Sequence, residues 1–250
     1  MMKVQYNQGG KPVKKMLCLL VAILLIPAAL AEAACPVCGG TSDLCLTDEV
    51  GAVYCAGKLI SYPAEALNHT YTVREGTCTI GDWAFCENWH LEEVILPEGV
   101  VMIGTGAFEG RLFLKRVTLP ESLLIIGDSA FSNCPELADV TLPPKLYAIG
   151  PSAFVDCRKL TGLDIPETVR YIGSEAFCNT GLTEIWLRTI DLECGDHILH
   201  PGFQNDPPQP VTIHVSEELL YDEVGNLANF MDVYDEKYNV TYVYDVPYLD

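Results

Sequence analysis

The stretch Ile126-Gly127-Asp128-Ser129-Ala130-Phe131 is one copy of a pattern that recurs every 23 residues. Its Ala-Phe pair has counterparts that end at Phe85, Phe108, Phe154 and Phe177, and its Ile-Gly pair has counterparts that begin at Ile80, Ile103, Ile149 and Ile172. A third series keeps the period at Leu96-Pro97, Leu119-Pro120, Leu142-Pro143 and Ile165-Pro166. A fixed period of about 20–50 residues indicates a solenoid, because no single unit can bury its apolar face alone.

Each unit has room for two short extended segments and a turn, but not for a long helix. Between Leu137 and Leu142 apolar residues alternate with Asp139 and Thr141, which predicts a half-buried strand. A second extended segment should end at Ile-Gly, and the phenylalanines should fill one interior column. We expect each Ile-Gly glycine to adopt a backbone conformation that a side chain would hinder. The sequence therefore predicts a mostly β solenoid of parallel-strand coils with short turns.

The unit L-x-x-L-x-L followed by Pro, I-G, A-F and C-x-x-L resembles the BspA-type leucine-rich repeat. The resemblance covers residues 71–187, and residues 53–70 resemble the irregular coil that leads into such arrays. It implies a protein, most often bacterial, that is exported or surface-bound and contacts other proteins, often as an adhesin. We therefore expect a non-catalytic interaction module without a cofactor, whose partner is a host or bacterial surface or matrix protein.

The first 33 residues have the features of a secretory signal peptide. Four lysines precede an apolar run over residues 16–31, and small residues follow it. Because the run is shorter than the roughly 20 residues that span a bilayer, we expect cleavage, no stable membrane span afterwards, and a secreted or cell-surface protein. Lipidation of Cys35 and an uncleaved anchor are the alternatives.

The charge balance narrows the class of partner. The chain has a formal net charge of −19, and cleavage after Ala33 would remove four lysines and one glutamate to leave −22. No basic surface is available to neutralise a phosphate backbone, which argues against nucleic acid as a partner. A strongly acidic protein favours a partner with basic groups.

Both ends of the repeat array should be atypical, because they must cover its exposed apolar layers. We assign residues 34–70 to a cysteine-containing cap with the lead-in coil, and residues 188–250 to an irregular last repeat with a small α/β cap. In that last repeat, Gly202-Phe203 is expected to replace Ala-Phe after four additional residues. A strand over 211–215, helices after Ser216 and near 228–238, and a strand near 240–246 should follow.

Ten cysteines remain after cleavage, and an exported protein favours disulfides. Cys134 and Cys157 share a repeat position and are expected as buried free thiols, whereas Cys86 and Cys178 lie four coils apart and cannot pair. The candidates for cap disulfides are Cys35, Cys38, Cys45 and Cys55, with zinc binding and redox activity as alternatives. We expect no metal site. The run Cys194, His197, His200 has metal-binding residue types but lacks a fourth ligand, which favours solvated loop residues.

We expect no catalytic residues. Gly127-Asp128-Ser129 resembles the nucleophile block of GDS-type esterases, but Gly127 and Ser129 occupy repeat positions, so the solenoid accounts for them. All five histidines fall outside the regular repeat positions. The alternative is a secreted metal-dependent or hydrolytic enzyme that uses Cys and His residues of the caps.

The strand residues that face solvent are mostly polar, and Ile95 and Trp186 are the exceptions. An exposed aromatic residue is the best anchor for a protein partner. We therefore expect a ligand-binding site at Trp186, His214, Glu184, Asp164 and Ile95. The alternative is that the loop from Thr189 to Pro210 covers Trp186.

Overall fold

The computed structural model describes residues 45–189, 192–199, 210–215 and 240–243. Within these ranges every regular element is a strand, and no helix occurs. The strands are β1 (Cys45–Thr47), β2 (Val53–Cys55), β3 (Lys58–Ser61), β4 (Thr70–Thr72), β5 (Thr79–Ile80), β6 (Glu93–Ile95), β7 (Met102–Ile103), β8 (Arg116–Thr118), β9 (Ile125–Ile126), β10 (Ala148–Ile149), β11 (Gly162–Ile165), β12 (Tyr171–Ile172), β13 (Glu184–Leu187), β14 (Glu193–Cys194), β15 (Val211–Val215) and β16 (Val240–Val243).

The strands form three sheets that run along the solenoid. The Ile-Gly segments and the N-terminal strands build a nine-stranded sheet in the order β1-β2-β3-β5-β7-β9-β10-β12-β14. The remaining strands build a three-stranded sheet, β4-β6-β8, and a four-stranded sheet, β11-β13-β15-β16. We call the solvent side of these two shorter sheets the front face. From β3 onward all pairs are parallel, so the predicted mostly β solenoid of parallel coils is confirmed.

The phenylalanines form one interior column, as predicted. All five are buried, and each ring stacks on the next with centroid distances between 4.6 and 5.7 Å. Stacked rings of this kind bury a large apolar area in every coil. Tyr62 of the lead-in coil extends the column, with its ring centroid 5.4 Å from that of Phe85.

The Ile-Gly glycines are required for a reason other than the one predicted. None of the five has a left-handed backbone. Instead, a Cβ on any of them would lie 2.2–2.8 Å from a backbone atom of the preceding coil. The left-handed position comes two residues later, at Trp83, Gly106, Ser129, Ser152 and Glu175.

The N-terminal end of the stack is closed by a hairpin and a tyrosine cluster. Strands β2 and β3 are antiparallel, and Ala56 and Gly57 turn between them with positive φ, as short hairpins require. Tyr71 donates a hydrogen bond to Asp48, and its hydroxyl also contacts that of Tyr54. These buried side chains cover the first layer of the core.

The strand predicted over residues 137–142 is wrong as a backbone element. Leu137 and Leu142 are buried while Asp139 and Thr141 are exposed, so the alternation holds. In this part of the chain, however, only a single bridge joins Asp139 to Arg116. Alternation reports which side chains are buried, not whether the backbone pairs.

Pro144 lies in the same coil. Repeats on either side have Glu98, Glu121 and Glu167 at this position. The N–H of Glu121 donates to the Glu98 carboxylate at 3.0 Å. Pro144 has no N–H, and the coil therefore lacks this connection to its neighbour. The front face is divided into two sheets here.

The sixth copy of the repeat pairs with the fifth as the earlier copies pair with one another, and its predicted insertion is wrong. Cys194 pairs with Ile172, and the Phe177 N–H donates to the Ile198 carbonyl as the Phe154 N–H does to that of Ala176. Ile198 and Leu199 therefore replace Ala-Phe, rather than Gly202-Phe203. The copy was missed because Cys replaces Ile, and because one residue fewer separates it from the fifth.

The C-terminal prediction is tested only in part. The strand expected over 211–215 is present as β15, which pairs with β13 and with β16. The predicted signal segment, residues 34–44 of the cap, and both helices after Ser216 lie outside the described residues. Among the described residues, no helix is long and apolar enough to cross a membrane.

Candidate ligand-binding face

Two rows of side chains cover the front face, because alternate strand residues point to the same side of a sheet. One row contains Gly162, Glu184 and Thr212, and the other contains Asp164, Trp186 and His214. Within each row the residues are register partners in adjacent strands. Four of the five predicted site residues therefore lie together on the four-stranded sheet.

Trp186 stacks on His214. The two ring centroids are 4.9 Å apart and the rings are inclined by only 10°. On the other side Gly162 presents no side chain, and a Cβ there would lie 3.9 Å from the indole. Both rings are half-buried, so part of each remains accessible while the stack restricts its motion.

The fifth predicted residue, Ile95, lies elsewhere. It is a register partner of Thr72 and Thr118 in the three-stranded sheet, beyond the coil that lacks a strand. Three coil spacings separate its row position from Asp164, which is about 14 Å. Ile95 is half-buried and belongs to a different part of the front face.

A cleft lies where the front face is divided. Its volume is about 360 Å³, and it is lined by Val140, Thr141, Leu142, Pro144, Asp164, Pro166, Glu167 and Arg188. Val140, Leu142 and the two prolines supply apolar surface, while Thr141, Glu167 and the Asp164–Arg188 pair supply polar groups. Sequence analysis missed this cleft. The signal was Pro144 in place of the repeat's glutamate.

Arg188 holds Asp164 beside the cleft. Its Nε and Nη2 donate to the two carboxylate oxygens at 2.7 and 2.8 Å. Such a two-point contact fixes the geometry of both groups. The bonds to Asp164 raise the pKa of Arg188. Since Asp164 is also the register partner of Trp186, the cleft and the stacked rings are continuous.

Ion pairs cover the other half of the front face. Arg116 lies between Glu93 and Asp139, with its Nε 2.7 Å from the Asp139 carboxylate. Beside them, Glu92 contacts both Lys115 and His69. Exposed pairs of this kind contribute little to stability. They do neutralise acidic groups there, whereas Glu184 makes no ion pair among the described residues.

The interior cysteines follow the prediction. Cys134 and Cys157 are free and buried, and each Sγ donates to a phenylalanine carbonyl in the neighbouring coil at 3.1 Å. Burial raises the pKa of Cys134 to about 12.

Cys194 does not lie in a solvated loop, which corrects that prediction. It belongs to β14, and burial raises its pKa to about 12. The predicted cap disulfides stay a prediction: Cys45 and Cys55 are opposite each other in β1 and β2, and Cys35 and Cys38 lie outside the described residues. Within the described ranges, no three or more His, Cys, Asp or Glu residues are grouped to hold a metal ion.

The family of the repeats follows from a direct match. Residues 78–194 match, in six copies, the model of the BspA type Leucine rich repeat region. This repeat array belongs to that family. The matched residues contain six segments at the Ile-Gly position, from Ile80 to Cys194. The matched residues form β6, β8, β11 and β13 of the front face and the core beneath them, while His214 lies outside the match.

A solved structure shares the fold of this chain. The pneumococcal vaccine antigen PcpA aligns with a TM-score of 0.59 at 20% identity, over 82% of this chain and 49% of that one. A leucine-rich-repeat protein of T. pallidum gives a TM-score of 0.49 at 23% identity, over 69% of this chain and 84% of that one. The chain spans about half the length of the pneumococcal protein. No curated protein matches the sequence significantly.

Proposed function

We propose that the chain is an exported, non-catalytic, adhesin-like module that binds a basic segment of a surface or matrix protein through its front face. The binding site comprises Trp186, His214, Glu184 and Asp164, with Ile95 as an outlying contact for an extended partner. The Trp186–His214 stack beside the cleft carries the proposal. The features of residues 1–33 support secretion or display at the cell surface.

The stack supports this proposal because it presents a pre-positioned aromatic anchor. Tryptophan dominates many protein interfaces, and fixing it before binding lowers the entropic cost of association. The adjacent cleft has room for one side chain of a partner. Its apolar walls suit an aliphatic or long basic side chain, whose charged end can remain near the Glu167 carboxylate.

The charge of the protein supports a basic partner. A net charge of −19 produces a negative field that attracts cationic groups. That field is screened beyond about 8–10 Å at physiological salt. Charge should therefore set mainly the association rate, and contacts at Trp186 should set the lifetime of the complex.

The test is saturable binding of the full chain to a panel of purified, immobilised extracellular matrix proteins, measured by surface plasmon resonance. We expect Trp186→Ala to accelerate dissociation by an amount equivalent to at least about 2 kcal/mol. Added salt should slow association. Trp83→Ala is the matched control, since Trp83 is an exposed tryptophan outside the front face.

Normal dissociation of the Trp186→Ala variant would place the site elsewhere. Unfolding of that variant would show that Trp186 is a structural residue. Absence of saturable binding to the whole panel would count against the adhesin-like function. Stoichiometric zinc, retained by the oxidised protein until a chelator removes it, would favour the enzyme alternative instead.

A further inference from the structure

A second surface, in the turns that precede strands of the front face, exposes four large apolar side chains. It lies in the turns that follow the aromatic column, and we call it the lateral patch. Its members and their exposed fractions are Leu67 (72%), Phe113 (55%), Trp89 (54%) and Leu112 (39%). Trp89 and Leu112 share one repeat position, and Leu67 and Phe113 share the next, with His90 between them. Repeat alignment therefore brings the four into two adjacent columns.

Trp89 is held in place from below by Arg111. The Arg111 guanidinium lies 4.8 Å from the centre of the Trp89 ring. It donates hydrogen bonds to the carbonyls of Cys86, Asn88 and Glu109, and it is buried. A cation on one face of an aromatic ring stabilises the ring's position. The other face of Trp89 is accessible, so the ring is ready for a partner.

Arg111 is unusual at its repeat position. The corresponding residues in the next two coils are Cys134 and Cys157, whose smaller thiols each donate to a phenylalanine carbonyl. An arginine here adds a guanidinium under Trp89 that a cysteine could not supply. Arg111 therefore supports the lateral patch as well as the core.

Carboxylates around the patch outnumber cations, because Glu65, Glu87, Glu92 and Glu109 stand against Lys115, which is paired with Glu92, and the buried Arg111. Glu65, Glu87 and Glu109 stand two or three positions before its apolar side chains. Among the described residues, none of these three carboxylates makes an ion pair. A second copy of this chain would bring like charges together, and an anionic membrane would be repelled. Charge complementarity favours an apolar segment flanked by basic residues.

The spacing of the patch fits a helix. Leu67 and Phe113 are two coils apart along the solenoid axis, which is about 10 Å. Residues i and i+7 of an α-helix are also about 10 Å apart and lie on one face. We propose that the lateral patch binds a basic amphipathic helix of another protein, laid along the solenoid axis with Leu67, Trp89 and Phe113 as its contacts.

The experiment uses a fluorescein-labelled, helical Leu/Lys peptide of about 18 residues, five turns of helix. Its binding to the full chain is measured by fluorescence anisotropy. Two comparison peptides are a scrambled Leu/Lys sequence without an apolar face and a Leu/Glu helix. We expect the Leu/Lys helix alone to bind. The Leu67→Ser/Phe113→Ser variant should bind it at least about tenfold more weakly, as loss of apolar contacts predicts.

Control variants separate this site from the others. Leu46→Ser removes an exposed leucine outside the patch and should leave binding unchanged, as should Trp186→Ala on the front face. Glu65→Gln/Glu87→Gln leaves the apolar side chains intact and should weaken binding and its salt dependence. This second variant keeps the test valid if the Ser variant does not fold, which circular dichroism reports.

Several results would overturn the proposal. One is equal binding of the scrambled or acidic peptide, and another is loss of binding only in Trp186→Ala. A dimer in analytical ultracentrifugation that Leu67→Ser/Phe113→Ser abolishes would identify a second copy as the occupant. Binding to anionic lipid vesicles that the same variant abolishes would identify a membrane. Separate variants probe the front face and the lateral patch. The experiments can therefore contradict one binding site while they support the other.

Discussion

A left-handed backbone recurs two residues after each Ile-Gly glycine, yet only one of the five residues there is a glycine. Ser129, Ser152 and Glu175 hold φ values of 52–58° with side chains present. Gly106 has the same backbone, with φ of 59°. Its lack of a side chain is therefore explained by a neighbour: a Cβ on Gly106 would lie 2.5 Å from the Trp83 ring.

We expect Gly106→Ala to destabilise the protein more than Gly110→Ala. Both positions are left-handed, which costs an alanine about 1–2 kcal/mol, but a Cβ on Gly110 meets nothing within 4 Å. Urea unfolding of the two variants measures the difference. In a Trp83→Ala background the additional cost at Gly106 should disappear. If it persists, the indole is not the cause.

The buried thiols make the free energy of unfolding depend on pH. Desolvation raises the pKa of Cys134 to about 12 in the folded chain, and the nearby Arg111 offsets only part of this. An unfolded thiol has a pKa of about 8.5. Between these values the unfolded state loses a proton that the folded state keeps, so stability falls as pH rises.

We expect the free energy of unfolding to decrease from about pH 8.5 upward, by at most about 1.4 kcal/mol per pH unit for each such thiol. Cys134→Ser keeps a donor for the Phe108 carbonyl but does not titrate. It should therefore reduce the slope, with a loss of stability at every pH because a hydroxyl is buried in place of a thiol. Urea unfolding under reducing conditions between pH 7 and 11 measures this. An unchanged slope would contradict the burial of Cys134.

The aromatic column connects each coil to its neighbours. The Phe131 ring contacts both Phe108 and Phe154, at 5.1 and 5.2 Å between centroids. The backbone of adjacent coils is fixed by the parallel ladders on the Ile-Gly side. The coils therefore cannot collapse into a gap left by a missing ring.

We expect Phe131→Ala to cost about 3–5 kcal/mol, the range for large buried aromatic residues. The matched control is Phe113→Ala, which removes the same atoms from a side chain that is 55% exposed. That variant should change stability by about 0.5 kcal/mol or less. Chemical denaturation of both variants makes the comparison. Similar costs at the two positions would contradict the interior column.

Most of the repeat fold could be predicted from the sequence. Five copies of Ile-Gly and Ala-Phe place residues in equivalent environments, so their columns follow from the period alone. The sixth copy has Cys194 in place of the Ile of Ile-Gly and Ile198-Leu199 in place of Ala-Phe. These residues can fill the same layers because they are apolar. Its identity depends on backbone pairing, which composition does not encode.

The candidate sites were predicted less completely than the fold. Trp186, His214, Glu184 and Asp164 could be brought together because strand alternation and register fix the rows. The cleft was not predicted, although Pro144 marks its coil, because side-chain alternation does not show whether residues 140–142 pair with a neighbouring strand. The Arg111–Trp89 contact depends on an irregular turn, where no period indicates which way side chains point.

At the scale of the whole molecule, repulsion between acidic groups opposes folding. The chain has 34 acidic and 15 basic residues. The ion pairs in the described ranges are exposed and individually weak. Their loss in salt should therefore matter less than relief of the general repulsion.

We expect the melting temperature to rise when NaCl increases from about 20 to 200 mM, over which the Debye length falls severalfold. KCl should give the same shift, since the effect depends on ionic strength and not on a bound ion. Differential scanning calorimetry measures it. A lower melting temperature in salt would mean that the ion-pair rows, rather than net repulsion, dominate the electrostatics.

The constant register between successive coils also has an evolutionary consequence. Leu119 and Leu142 occupy equivalent positions 23 residues apart. Removal of residues 120–142 would join Leu119 to Pro143 and restore the same Leu-Pro junction, with the flanking coils brought into contact. Unequal recombination between neighbouring copies in the gene can thus lengthen or shorten the protein by whole coils. Copy number can change the reach of the binding surfaces while both ends stay the same.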